Sequence, residues 1–103
     1  MDILETESKI VEALKKVYDP EIPVNVYDLG LIYQIDVTDN GEANITMTLT
    51  APNCPVADML LMDVENSVGT VEGIKKVIIN LVFDPPWDKS MLSDEAKLEL
   101  GFL

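Results

Sequence analysis

The sequence predicts a small α/β chain of the α+β two-layer kind, ordered α-β-β-α-β-α, with helices on one face of a three-stranded mixed sheet. Three observations lead there. Ala43, Ile45, Met47 and Leu49 alternate with Asn44, Thr46, Thr48 and Thr50, the period-two pattern of a strand with one buried face. Two segments, 6–18 and 55–68, carry apolar residues at three- and four-residue steps, so each has a stripe to bury against that face. A β-branched run at 75–83 then completes a strand-helix-strand order. Its crossover leaves the third strand parallel to the second.

The first helix aligns Ile3, Ile10, Val11, Leu14, Val17 and Tyr18 against a charged face of Glu7, Lys9, Glu12, Lys15 and Lys16. Pro20 disfavours helical geometry at Asp19, so the helix is expected to stop there. Asp19-Pro20-Glu21-Ile22-Pro23 then forms an ordered loop carrying two carboxylates, which serve either as turn former and solvated surface or as part of a site. Strand one is read at 29–37. Asp39-Asn40-Gly41-Glu42 holds the Asn-Gly pair favoured in tight hairpins, and strand two follows at 43–50. Its apolar set meets the helices. The threonine set meets solvent or a site: an exposed strand face is the ordinary reading for Thr46 and Thr48, and Thr50 is expected near the sulfur of Cys54.

The second helix buries Ala57, Leu60, Leu61, Val64 and Val68 and exposes Asp58, Asp63, Glu65 and Asn66. Met59 and Met62 are read as gap fillers beside that stripe, and Gly69 as the C-terminal cap. Strand three ends at Asp84-Pro85-Pro86-Trp87. Trp87 either packs against the sheet or anchors a ligand. Ser93 caps a last short helix whose first turn holds Asp94 and Glu95.

Composition narrows the function. The 103 residues, 48% hydrophobic, suit one domain over 1–103 that buries a core without staples. Nineteen carboxylates against seven lysines give a formal charge of -12, which repels phosphate backbones and anionic lipid, so neither nucleic acid nor membrane is an expected partner. No apolar run approaches the ~20 residues of a membrane helix. One cysteine forms no internal disulfide, which fits a reducing, cytoplasmic setting. With no histidine, a Cys-His dyad and a His metal site are both excluded within the chain. A carboxylate would activate the thiol poorly, so an enzyme is not expected.

Cys54 lies in Thr48-Leu49-Thr50-Ala51-Pro52-Asn53-Cys54-Pro55, where strand two runs into helix two. Pro55 suits the first helical position, which puts Cys54 at the N-cap. Unpaired amides and the macrodipole there favour thiolate over thiol, and hence nucleophile or metal ligand. The same residue also reads as a small buried hydrophobe.

Taken together, Asp19-Pro20-Glu21, Tyr27-Asp28-Leu29-Gly30-Leu31-Ile32, Leu49-Thr50-Ala51-Pro52-Asn53-Cys54-Pro55 and Pro86-Trp87, followed by the Ser-led acidic helix, resemble the metal-sulfur cluster assembly factors that include bacterial SufT and PaaD. The resemblance runs from the first helix through Leu100. It implies a fold similar to the C-terminal domain of the NifU scaffolds, a role in maturing iron-sulfur proteins, and a site formed by Asp19, Glu21, Thr50 and Cys54. Ala51 stands where some relatives carry a second hydroxyl, and the extra cysteines of some longer PaaD-like proteins are absent.

The implied function is cluster carriage or client delivery through Cys54, in contact with the iron-sulfur assembly machinery and apo-protein clients. A metal-free adaptor and a thiol-dependent enzyme are the other readings. A cluster usually takes four protein ligands, mostly thiolates, and one chain offers one. A transient iron-sulfur cluster would therefore be shared between protomers of a homodimer through two Cys54 thiolates, or completed by carboxylates, a small thiol or a client's cysteine. Asp19 and Glu21 are expected close to Cys54, where carboxylates beside a thiolate await a cation. The N-cap position predicts a Cys54 thiol that titrates below a free cysteine. Alkylation rate followed against pH checks this: the midpoint falls below that of an unstructured cysteine peptide if the helix end governs, and above it if the surrounding negative charge does.

Overall fold

The computed structural model describes residues 2–19, 22–50 and 57–101. Its elements are α1 (Ile3–Leu14), β1 (Ile32–Val37), β2 (Glu42–Met47), α2 (Ala57–Gly69), β3 (Lys76–Leu81), a 3-10 turn at Lys89–Met91, and α3 (Asp94–Glu99). The sheet order is β1-β2-β3, with β1 antiparallel and β3 parallel to the central β2. The expected order and strand directions hold.

Helix α1 begins earlier than its apolar periodicity suggests, because Asp2 caps it: its Oδ1 accepts from the Glu5 amide at 3.2 Å. It also ends earlier, at Leu14 rather than at the Asp19 boundary set by Pro20. The cause is non-local. The Val26 amide donates to Val17 at 2.8 Å and the Asp19 amide to Val24 at 3.2 Å, so 17–19 lie extended against 24–26 with Tyr18 bridged to Asn25.

The β1–β2 hairpin turns at 38–41, where the Gly41 amide donates to Thr38 at 3.1 Å and the Thr38 amide to Glu42 at 2.9 Å. Only Gly41 takes positive φ, at 84°, with Asn40 outside that region. This is a three-residue loop closed by a glycine bulge, not a two-residue Asn-Gly turn. Across the sheet, rows Val37-Ala43-Val77 and Ile35-Ile45-Ile79 turn to the helices, as does Met47 between Ile32 and Leu81. Ala43, Ile45 and Met47 are fully covered, together with Ile10 and Leu14 of α1 and Val64 and Val68 of α2. Burying each larger aliphatic side chain contributes about 1.5–3 kcal/mol before the cost of chain entropy. The Ser67 hydroxyl ties the helices together by donating to the Ala13 carbonyl at 2.8 Å.

Two readings of α2 need correction. Gly69 is its last helical residue, without positive φ, and a Cβ there would make only an ordinary contact with Val77 Cγ2, at 4.0 Å. Met59 and Met62 do not fill core gaps; they are 66% and 60% exposed.

The segment 24–31 forms no strand before Ile32. It folds as a turn in which Asn25 Oδ1 accepts from the Asp28 amide at 2.9 Å and Asn25 Nδ2 donates to the Asp28 carboxylate at 2.7 Å. Gly30 at φ 83° completes the turn. The C-terminal segment closes on it: the Ser93 amide donates to Asp28 O at 2.7 Å, and Trp87 Nε1 to Leu29 O at 2.6 Å. Ser93 then caps α3, accepting from the Ala96 amide at 3.1 Å, as its sequence position foretells. An added Cβ at Gly30 would overlap the Met91 carbonyl and lie 2.8 Å from Met91 Cβ. Gly30→Ala is therefore expected to cost about 2–5 kcal/mol in urea unfolding, combining a left-handed backbone penalty of about 1–2 with overpacking of about 1–3 kcal/mol.

Candidate functional site

In a sheet with parallel β2 and β3, the carboxyl ends of both strands open at one edge, where ligands of α/β sheets commonly bind. There the chain continues from β2 through Thr48-Leu49-Thr50 toward Cys54, and from β3 through Phe83 toward Pro86-Trp87. These two exits meet. Thr48, Leu49, Thr50, Phe83, Pro86 and Trp87 line a cavity of about 260 Å³.

Thr48 was expected in solvent with Thr46, but it is 1% exposed. The reason is the C-terminal segment folded over the end of the sheet. Register shifts between Ile32 and Gln34, and the bulged Tyr33 sends its hydroxyl to donate to Pro85 O at 2.7 Å. Trp87, half-buried against the core, holds the next turn through its bond to Leu29. The Thr48 Oγ1 beneath finds no hydrogen-bond partner among the described residues. Leaving such a hydroxyl unsatisfied costs about 1–3 kcal/mol. Thr46, one step back on β2, is only half-buried beside Gln34.

The residues singled out in sequence fall in different places. Thr50 lies in the cavity wall and is half-buried. Asp19 is 8% exposed in the loop after α1, where its Oδ1 accepts from the Ile22 amide at 3.2 Å, so it helps close the turn that links Val17 to Val26. Cys54 and Glu21 lie outside the described residues, as do Pro20, Ala51, Pro52, Asn53 and Pro55, so the expected proximity of Asp19 and Glu21 to Cys54 lies outside them too. Among the described residues no group of three or more Asp, Glu, His or Cys side chains could hold a metal. Asp88, fully exposed beside this region, has its carboxyl held below the ordinary carboxylate range, chiefly by the Ser90 hydroxyl, which donates to it at 2.8 Å. That bond belongs to the 3-10 turn and not to the cavity.

Sequence reasoning missed Thr48 and Phe83 as cavity residues. A signal was present, since Thr48 shares a strand face with Thr50. What hid it was the assumption that the face opposite the helices stays open; it does so at Gln34, Asp36 and Asn80, which are exposed, and is roofed only at its Thr48 end.

A family model described as "Iron-sulfur cluster assembly protein" matches residues 7–81. The chain belongs to the iron-sulfur cluster assembly protein family. A Porphyromonas gingivalis protein named Fe-S protein maturation auxiliary factor is 60% identical over 102 residues, spanning 99% of this chain and 97% of its own. The Bacillus subtilis Fe-S protein maturation auxiliary factor YitW is 36% identical over 95 residues, spanning 92% and 93%. The crystal structure of a domain of unknown function from Bacillus anthracis superposes with a TM-score of 0.92 at 36% identity, covering 100% of this chain and 98% of that one. The small α+β fold and the SufT-like resemblance thus hold for this family member. No helix among its described residues is long and apolar enough to cross a membrane.

One consequence is directly measurable. Thr48→Val keeps the shape of the side chain and removes the unsatisfied hydroxyl, so it is expected to stabilise the fold by about 1 kcal/mol. Thermal unfolding checks it: a lower midpoint would show that the hydroxyl is satisfied in solution.

Proposed function

We propose that this chain is an iron-sulfur maturation factor that delivers a cluster to client apo-proteins through the Cys54 thiolate, as a stoichiometric carrier and not an enzyme, in the reducing cytoplasm. The observation that carries the reading is the cavity at the carboxyl ends of β2 and β3, where Thr50 and the unpartnered Thr48 hydroxyl lie four and six residues before Cys54. The names of the Porphyromonas and Bacillus relatives support it.

The chemistry is ligand exchange. One chain brings a single thiolate and no imidazole to a cluster that usually takes four protein ligands, so the other ligands come from the client, a small thiol or a second protein. Delivery breaks one Fe–S bond to Cys54 and forms one to a client thiolate, with no net electron transfer. A site with one resident thiolate is weak enough to release its cargo. Threonine hydroxyls can donate to sulfur, and Glu21 with Asp19 would place negative charge where a cation or a client's basic group completes the balance.

The same shortage of ligands favours one second reading, an adaptor that docks client and assembly proteins without metal. Cys54→Ala and Glu21→Ala are each expected to impair maturation of an aconitase-type client in cells while thermal unfolding of the purified variants stays at the wild-type midpoint. Full client activity in both variants removes the proposed site. A client complex and client activity that both survive Cys54→Ala select the adaptor, and activity lost in step with unfolding returns the two residues to structural roles.

A further inference from the structure

We propose that the cavity between Thr48 and Trp87 anchors client proteins by taking one tyrosine side chain from a basic stretch of the client. As in the delivery reading on which this rests, clients meet the chain at this end of the sheet. Thr48, Leu49, Thr50, Phe83, Pro86 and Trp87 enclose about 260 Å³. Pockets that hold a whole small ligand commonly span about 300–1,000 Å³, so this one suits a single side chain whose polypeptide stays outside.

No charged residue lines the cavity. A lysine, arginine or carboxylate entering it would lose its hydration without a counter-charge, which is unfavourable. The occupant is therefore neutral. Met47 and Leu49 turn into the core, so strand alternation turns Thr48 between them to the roofed face, on the side of the cavity. Among the described residues, Thr48 Oγ1 is the buried side-chain polar atom left without a hydrogen-bond partner. The Trp87 indole does not supply one, because its Nε1 already donates to Leu29 O at 2.6 Å.

The occupant thus needs an apolar body against Phe83 and Trp87 and one polar tip at the Thr48 end. Tyrosine has both. Its ring pairs with aromatic walls, and its hydroxyl donates or accepts as the threonine hydroxyl does. Phenylalanine or leucine would fill the space and leave Oγ1 unpartnered, while an indole can only donate.

Charge selects what flanks the tyrosine. Asp84 and Asp88 stand exposed on either side of Pro86-Trp87, Lys89 offsets only one of them, and the whole chain carries -12. Lysine or arginine beside the tyrosine is favoured, and an acidic neighbour is repelled. Thr50 precedes Cys54 by four residues, at most about 14 Å of extended chain, so a client anchored here is held within reach of the thiol.

Trp87 is the only tryptophan in the chain, so its selectively excited fluorescence reports occupancy. The test is titration of the metal-free full chain, to about 5 mM, with N-acetyl-Lys-Tyr-Lys-amide, its phenylalanine analogue and its glutamate-flanked analogue. The tyrosine peptide is expected to bind at least about fivefold more tightly than either analogue. Thr48→Val is expected to lose the preference for tyrosine while holding the phenylalanine peptide within about twofold of wild type, and Phe83→Ala to weaken both by about threefold or more, with thermal unfolding confirming that each variant is folded. Cys54→Ala is expected to bind like the wild type, so the anchor and cluster delivery fail separately. A chain that takes the peptide but carries no iron supports the anchor and removes only delivery; one that loads iron but binds no peptide overturns the anchor. Equal affinity for the tyrosine and phenylalanine peptides, a preference that survives Thr48→Val, or equal affinity for the glutamate-flanked peptide overturns it as well.

Discussion

Strand β2 is hydrogen-bonded on both sides, and the rest of the molecule depends on that double pairing. Its neighbours run in opposite senses, β1 antiparallel through a short hairpin and β3 parallel through α2. The parallel partner forces the chain to leave β2 and β3 at the same edge of the sheet. One exit leads to Cys54 and the other to Trp87, so the topology itself builds the cavity between them. The apolar face of β2 anchors the arrangement, because Ala43, Ile45 and Met47 are completely buried and a one-residue slip would exchange them for Asn44 and Thr46.

The second constraint is the closure of the C-terminal segment on the turn at 25–31. It rests on backbone carbonyls, Asp28 O and Leu29 O, held in place by an asparagine turn and a left-handed glycine. This gives a physical account of the Tyr27-Asp28-Leu29-Gly30 and Pro86-Trp87 motifs. They position the roof of the cavity, and with it the burial of the Thr48 hydroxyl. A buried, unpartnered hydroxyl is the kind of local cost that proteins keep at functional sites.

Much of this was legible in the residues. The alternation at 43–49, the stripe of Leu60, Val64 and Val68, and the Ser93 cap all record contacts between near neighbours or one face of one element, and each appears where its pattern places it. What the sequence hid were contacts across long separations. Val17 to Asp19 continue the helical period yet pair with 24–26. Thr48 continues a polar face yet lies under a segment almost forty residues later. Met59 and Met62 have core chemistry, but they lie beside the buried stripe of α2 on its exposed side. Asp19 was legible as a loop residue, and its turn-closing bond to Ile22 adds a structural role to the one the family resemblance implies.

The central claim is that cluster cargo passes through Cys54. Anaerobic purification of the full chain from cells making iron-sulfur proteins, with iron and acid-labile sulfide assayed on the wild type and on Cys54→Ala, tests it most directly. Delivery through Cys54 predicts iron and sulfide in equal amounts on the wild type and neither on the variant, whereas equal loading of the two proteins, or a metal-free wild type that still activates an apo-client, would contradict it.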